Sequence, residues 1–124
     1  MKKKIAIGVL ILLVLIQFIP VDTTNPTVDT QKDFIVITKA PQEVAQILKT
    51  SCYDCHANET AYPWYFKVAP VSWWLKNHIN EGRRELNFST WGDYTAKRKD
   101  KKMKESIKMV QEGEMPMWSY TSVH

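Results

Sequence analysis

Five consecutive residues near the middle of the 124-residue chain, Cys52-Tyr53-Asp54-Cys55-His56, bring two thiols and an imidazole into one short segment. Two thiols at this spacing can add to the two vinyl groups of one haem, and an imidazole directly after the second thiol is brought beneath the iron. The pattern predicts a single covalent haem c, attached through Cys52 and Cys55, with His56 as the proximal iron ligand.

Competing chemistries make weaker use of the same residues. These are the only two cysteines, and a disulfide across so short a loop would restrain the unfolded chain little. A thioredoxin-like thiol pair needs a βαβ setting and has no use for the adjacent histidine. A structural zinc site needs four ligands, and the remaining histidines, His78 and His124, are widely separated without paired spacing.

A second axial ligand is sought among the methionines. Met115 lies in Gly113-Glu114-Met115-Pro116, where proline fixes the local backbone and glycine permits a sharp exit from a helix. The segment predicts Met115 as the distal ligand, with Met117 next and His78 behind; the bland alternative is that Met115 only packs on the porphyrin. Sulfur ligation favours reduced iron, and a six-coordinate iron leaves no position for oxygen or peroxide. The expected function is therefore one-electron transfer rather than catalysis. The rivals are a haem-based sensor or peroxidase-like enzyme with an open distal site, and a cofactor-free thiol–disulfide redox protein.

Helices must position these groups. Pro41 is placed to open one, with Val44, Ile47, Leu48 and Ser51 on one side, running into the attachment segment. Between Ala57 and Pro70, prolines and aromatics indicate a packed loop in which Tyr62, Trp64, Tyr65 and Phe66 wall the haem or fill ordinary core. A second helix is expected over 71–86, with Val71, Trp74, Leu75, His78 and Gly82 along one stripe. Arg83 and Arg84 could reach haem propionates, although solvent exposure is their ordinary fate. A third helix is expected over 95–112, with Met103, Ile107 and Val110 inward and Gly113 as a left-handed cap. Its other face carries Lys97, Arg98, Lys99, Lys101, Lys102, Lys104 and Lys108, a solvated face that could also steer an acidic redox partner.

The net charge of +4 comes largely from that run and from Lys2 to Lys4. No reading motif and no stacking aromatics interleave with it, so no nucleic-acid partner is expected. After Lys4, residues Ile5 to Ile19 are apolar except Gln17. At ~1.5 Å per residue they extend about 23 Å, short of the ~30 Å hydrocarbon core. No small-residue cleavage site follows, which favours an uncleaved anchor over a signal peptide. The leading lysines predict a single-pass protein whose domain lies outside the cytoplasm. The expected organisation is an anchor or signal over 1–21, a tether over 22–32 and a haem-binding domain over 33–124.

From Ser51 onward the chain resembles the small haem-binding domain family of bacterial c-type cytochromes. The resemblance is carried by Cys52-Tyr53-Asp54-Cys55-His56-Ala57-Asn58-Glu59-Thr60, Pro63-Trp64-Tyr65 and Ala69-Pro70-Val71-Ser72-Trp73. It continues through His78 with Glu81-Gly82-Arg83, Leu86-Asn87-Phe88-Ser89 with Trp91, Gly113-Glu114-Met115-Pro116, and Ser119-Tyr120-Thr121. It implies a mostly α fold: a small cytochrome c-like helical domain around one covalent haem, preceded by a transmembrane helix, in a bacterial inner membrane with the domain facing the periplasm. It implies electron transfer without naming a redox partner, and similar proteins are expected to continue a little beyond His124.

Overall fold

A computed structural model describes residues 1–123; His124 lies outside the described residues. Seven α-helices and four 3-10 turns follow one another, and the described residues contain no strand. The helices are α1 (Lys2–Leu15), α2 (Phe34–Thr38), α3 (Gln42–Ser51), α4 (Tyr53–His56), α5 (Val71–Glu85), α6 (Ala96–Gln111) and α7 (Trp118–Thr121). The mostly helical expectation therefore holds.

The transmembrane expectation does not. No helix among the described residues is long and apolar enough to cross a membrane. Helix α1 has 14 residues, about 21 Å at the helical rise, and it gives way to a 3-10 turn at Ile16–Phe18. The polar interruption Gln17 is turned toward the domain: its Nε2 donates to Ala69 O at 3.0 Å and its Oε1 accepts from Ala69 N at 3.0 Å. The membrane as a partner through this helix, and with it a single-pass inner-membrane location, are withdrawn on this finding.

The stretch expected as a tether is hydrogen-bonded to the domain. Asn25 Nδ2 donates to Thr60 O (2.9 Å), and Asn58 Nδ2 donates to Thr27 O (3.2 Å). Beyond it, Asp33 caps α2 by accepting from Ile35 N at 2.8 Å, and also receives the Tyr53 hydroxyl at 3.1 Å on each carboxylate oxygen. Asp33 and Tyr53 are both buried. A charge taken that far from water is tolerated when its oxygens are bonded in this way.

The core gathers Phe34, Tyr53, Ala57, Leu86, Phe88, Trp91 and Tyr94. Phe34 meets Phe88 and Trp91 edge-on at 5.3 and 4.9 Å between centroids, whereas Tyr53 stacks flat on Phe88 at 5.1 Å. Both geometries suit ring quadrupoles. Buried amides and a hydroxyl clasp the loop that follows α4. Asn58 N donates to Ser89 Oγ, and Asn87 Nδ2 donates to Asn58 Oδ1.

Helices α3, α5 and α6 lie within a residue or two of their expected bounds, but their buried faces differ. Of the α3 stripe, Leu48 packs on the core while Val44 and Ile47 are exposed. In α6, Met103, Ile107 and Val110, expected inward, are all exposed. That helix ends as expected at Gly113 (φ 71°), with Gly113 N donating to Val110 O and Glu114 N to Met109 O, the paired bonds of a Schellman cap. Its lysines are largely matched by acids on the same helix, Lys101 with Glu105, Lys104 with Asp100 and Lys108 with Glu112. Such exposed pairs make a solvated face and contribute little to stability.

Helices α4 and α5 meet through Gly82, where a Cβ would stand 2.6 Å from the carbonyl oxygen of Cys55. Backbone cannot yield as a flexible side chain does. Gly82→Ala is expected to destabilise the protein by about 1–3 kcal/mol, read from the midpoint of urea unfolding, despite the higher helix propensity of alanine.

Candidate functional site

The attachment segment forms a single helical turn, α4, directly after α3. Its stop is abrupt: Ala57 is extended, and His56 N closes the turn by donating to Cys52 O at 2.9 Å. The half-buried His56 ring approaches Phe88 edge-on at 6.4 Å. Its Nδ1 lies 3.0 Å from both Gly82 O and Leu86 O, at the C-terminal end of α5. Both partners are carbonyls and can only accept, so Nδ1 must carry the proton. The neutral ring then has its lone pair on Nε2, free to bind a metal, with its tautomer set by a backbone contact as metal-ligating histidines require.

Cys52 and Cys55 are free of any disulfide, and both are half-buried. Burial raises the Cys52 thiol above its ordinary range. Burial, and then the Asp54 carboxylate beside it, push Cys55 up to about 11. Both stay as thiols at neutral pH. Redox-exchanging cysteines depend on a lowered pKa and ready thiolate, so this environment disfavours the thiol–disulfide reading. Among the described residues no group of three or more His, Cys, Asp or Glu is placed to hold a metal ion.

An apolar cleft opens at Cys55. Its cavity volume is about 60 Å³, below the range that small-molecule and cofactor pockets occupy. One wall comes from α4 and the loop after it (Asp54, Cys55, Pro63, Tyr65, Phe66), a second from α5 (Trp74, Leu75, His78, Ile79), and a third from the C-terminal segment (Met117, Ser119, Tyr120, Val123). Of the apolar stripe read on α5, Trp74, Leu75 and His78 face the cleft, Gly82 meets Cys55 and Val71 is exposed, with Trp74 edge-on to His78 at 4.5 Å. The buried residues of that helix, Ser72 and Ile79, lie outside the stripe.

Each expected residue can be placed against this cleft. Cys55, His78 and Met117 line it; His56 does not, Cys52, also half-buried, packs against the core cluster, and the half-buried Met115 is not among the lining residues. Of the aromatics expected to wall the haem, Tyr65 and Phe66 line the cleft and Trp64 is exposed.

Arg83 was expected in solvent but is half-buried and engaged. Its Nε donates to Ala57 O (2.8 Å), and its Nη2 donates to Asn25 Oδ1 (2.9 Å) and Thr60 Oγ1 (2.8 Å). Arg84 is exposed as expected. Sequence reasoning missed Leu86 as a partner of His56 and Asp54 as a junction. Asp54 takes Ala61 N and the Tyr120 hydroxyl on its carboxylate, and Thr60 Oγ1 on its backbone oxygen. The periodicity of α5 brings Leu86 near Gly82 by one helical turn, which is the signal that was available.

The donor set and the anchored tautomer fit a haem iron, and the lining beside Cys55 is apolar, as a porphyrin face requires, while the cleft itself is too narrow to enclose one. The haem-binding domain family matches residues 11–124, and the chain belongs to that family. No curated protein and no solved structure matches it. The match begins inside the N-terminal apolar run and takes in the stretch that hydrogen-bonds to Thr60 and Asn58.

One buried hydroxyl, Tyr62 OH, has no hydrogen-bond partner among the described residues. Because an unsatisfied buried donor carries its full desolvation cost, Tyr62→Phe in the haem-free chain is expected to leave stability unchanged or raise it by about 1 kcal/mol. Chemical denaturation reads the change, and a clear fall in stability would reveal a partner for the hydroxyl.

Proposed function

We propose that the chain is a c-type cytochrome that binds one haem covalently through Cys52 and Cys55 and serves as a one-electron carrier. The observation that supports this most is the His56 ring: Nδ1–H is held by two carbonyls, and Nε2 remains available next to two unbridged thiols. When bound, the haem supplies an iron that cycles between ferrous and ferric.

The protein's own contributions follow from its geometry. Two thiols that are un-ionised at neutral pH stay available for thioether formation rather than for disulfide exchange. His56 acts as the proximal ligand, and its hydrogen bonds to Gly82 and Leu86 increase the basicity of Nε2. The apolar residues that line the cleft would lower the polarity beside a bound haem, which would favour the less charged state of its iron. The segment 115–117 would supply a second, sulfur ligand to the bound iron. Met115 is the expectation from the sequence, while Met117 is favoured by its place on the cleft and His78 is its nitrogen rival.

The reading is tested by producing the chain in cells that contain haem-attachment machinery. The wild type is expected to gain the mass of one haem and to keep haem staining after denaturation. Cys52→Ala combined with Cys55→Ala should abolish both, and His56→Ala should lower the haem-loaded yield at least about tenfold. A polypeptide of unmodified mass that binds haem only reversibly would overturn covalent attachment. For the distal site, ferrous wild type should resist carbon monoxide, and among Met115→Ala, Met117→Ala and His78→Ala only the true ligand's loss should open it. Rapid carbon monoxide binding by the wild type would instead favour the open-site sensor or enzyme.

A further inference from the structure

The third wall of the cleft is built differently from the other two. Its residues Met117, Ser119 and Tyr120 lie in or beside α7, a helix of only four residues. So short a helix has little stability of its own. Anchors at both of its ends hold it to the described residues. At its start, the Schellman cap of α6 continues into Met115, whose N donates to Met109 O at 3.2 Å. At its end, the Tyr120 hydroxyl lies 2.9 Å from Thr50 O and 2.9 Å from Asp54 Oδ2.

The second anchor reaches the attachment segment itself. Asp54 is one of the two residues between the cysteines, and it is already fixed by Ala61 N on Oδ1 at 3.0 Å and by Thr60 Oγ1 on its backbone oxygen at 2.6 Å. Within α7, Tyr120 N and Thr121 N both donate to Met117 O, at 2.9 and 3.1 Å. The phenol and the Met117 backbone thus move as one turn. Burial, and next the Asp54 hydrogen bond, raise the Tyr120 hydroxyl well above its ordinary range, so it remains a donor at any physiological pH.

We propose that Tyr120 is the positioning residue for the sulfur ligand: by tying α7 to Asp54 and Thr50, its hydroxyl fixes the methionine-bearing segment 115–117 over the cleft that contains Cys55. The inference rests on the haem-bearing reading above and adds to it a device that registers the distal segment against the attachment segment. Registration of this kind matters because thioether ligation is weak, and a ligand on an untethered strand spends part of its time away from the iron.

The experiment compares haem-loaded wild type with Tyr120→Phe, which removes one hydroxyl and keeps the ring. Both should carry covalent haem and show the same helical circular dichroism. In Tyr120→Phe the ferric sulfur-to-iron charge-transfer band should weaken, and ferrous carbon monoxide binding should accelerate roughly tenfold, as expected for losing a hydrogen bond to a charged acceptor. An unchanged band and an unchanged carbon monoxide rate would overturn the proposal. In Asp54→Asn the one oxygen keeps Ala61 N and the new amide N–H can donate to the Tyr120 hydroxyl, which still donates to Thr50 O, so this variant is expected to behave as the wild type and Asp54→Ala as Tyr120→Phe; equal behaviour of the two Asp54 variants would overturn it even if Tyr120→Phe fails to fold. A wild type that carries covalent haem but lacks the sulfur band would instead remove the methionine-ligand reading on which the proposal stands.

Discussion

A single imidazole proton, shared between the carbonyls of Gly82 and Leu86, is the contact on which the rest of the site depends. It requires the last turn of α5 to lie against α4, and that approach is possible only because residue 82 has no side chain to strike the Cys55 carbonyl. The two acceptors are neighbours by helical geometry, one turn apart. The chain then leaves α5 in an extended conformation at Leu86, so the Leu86 carbonyl has no further helical donor to serve and can be given to the histidine. One hydrogen bond sets tautomer, ring orientation and the direction in which Nε2 is offered.

Around this contact the small domain is framed by polar groups as much as by apolar ones. Asp33 links the start of α2 to Tyr53 of the attachment turn. Asn58, Asn87 and Ser89 bind the loop after His56 to the segment after α5, and Arg83 secures the same loop from α5 itself. A core of seven residues could not impose a unique geometry by packing alone. Buried hydrogen bonds are directional and costly to leave unmade, so they specify where the loop must run. Apolar side chains that face the cleft, such as Trp74, are partly exposed.

Legibility differed between levels of structure. Helices α3, α5 and α6 were evident from proline starts, periodic apolar residues and the Gly113 stop, and these are local properties of the chain. The buried face of α6 was not evident, because Met103, Ile107 and Val110 meet the periodic criterion whether or not another element covers them. The N-terminal run misled for a related reason. Hydropathy recognises a fifteen-residue run that only Gln17 interrupts, yet helix length depends on where the backbone turns, and Gln17 bonds both to Leu13 O within the run and to the Ala69 backbone in the domain.

By itself the sequence determined the chemistry on offer: two thiols and an imidazole in five residues, methionines beside a proline, and helices to carry them. Those are matters of covalent order and short-range backbone preference. Only the tertiary structure decided which nitrogen of His56 is free, that Gly82 and Leu86 hold the other, that Met117 and His78 face the cleft at Cys55, and that Tyr120 meets Asp54 across 66 positions of chain. Such pairings between distant residues arise when buried polar groups must find partners, and no local pattern records which partner they find.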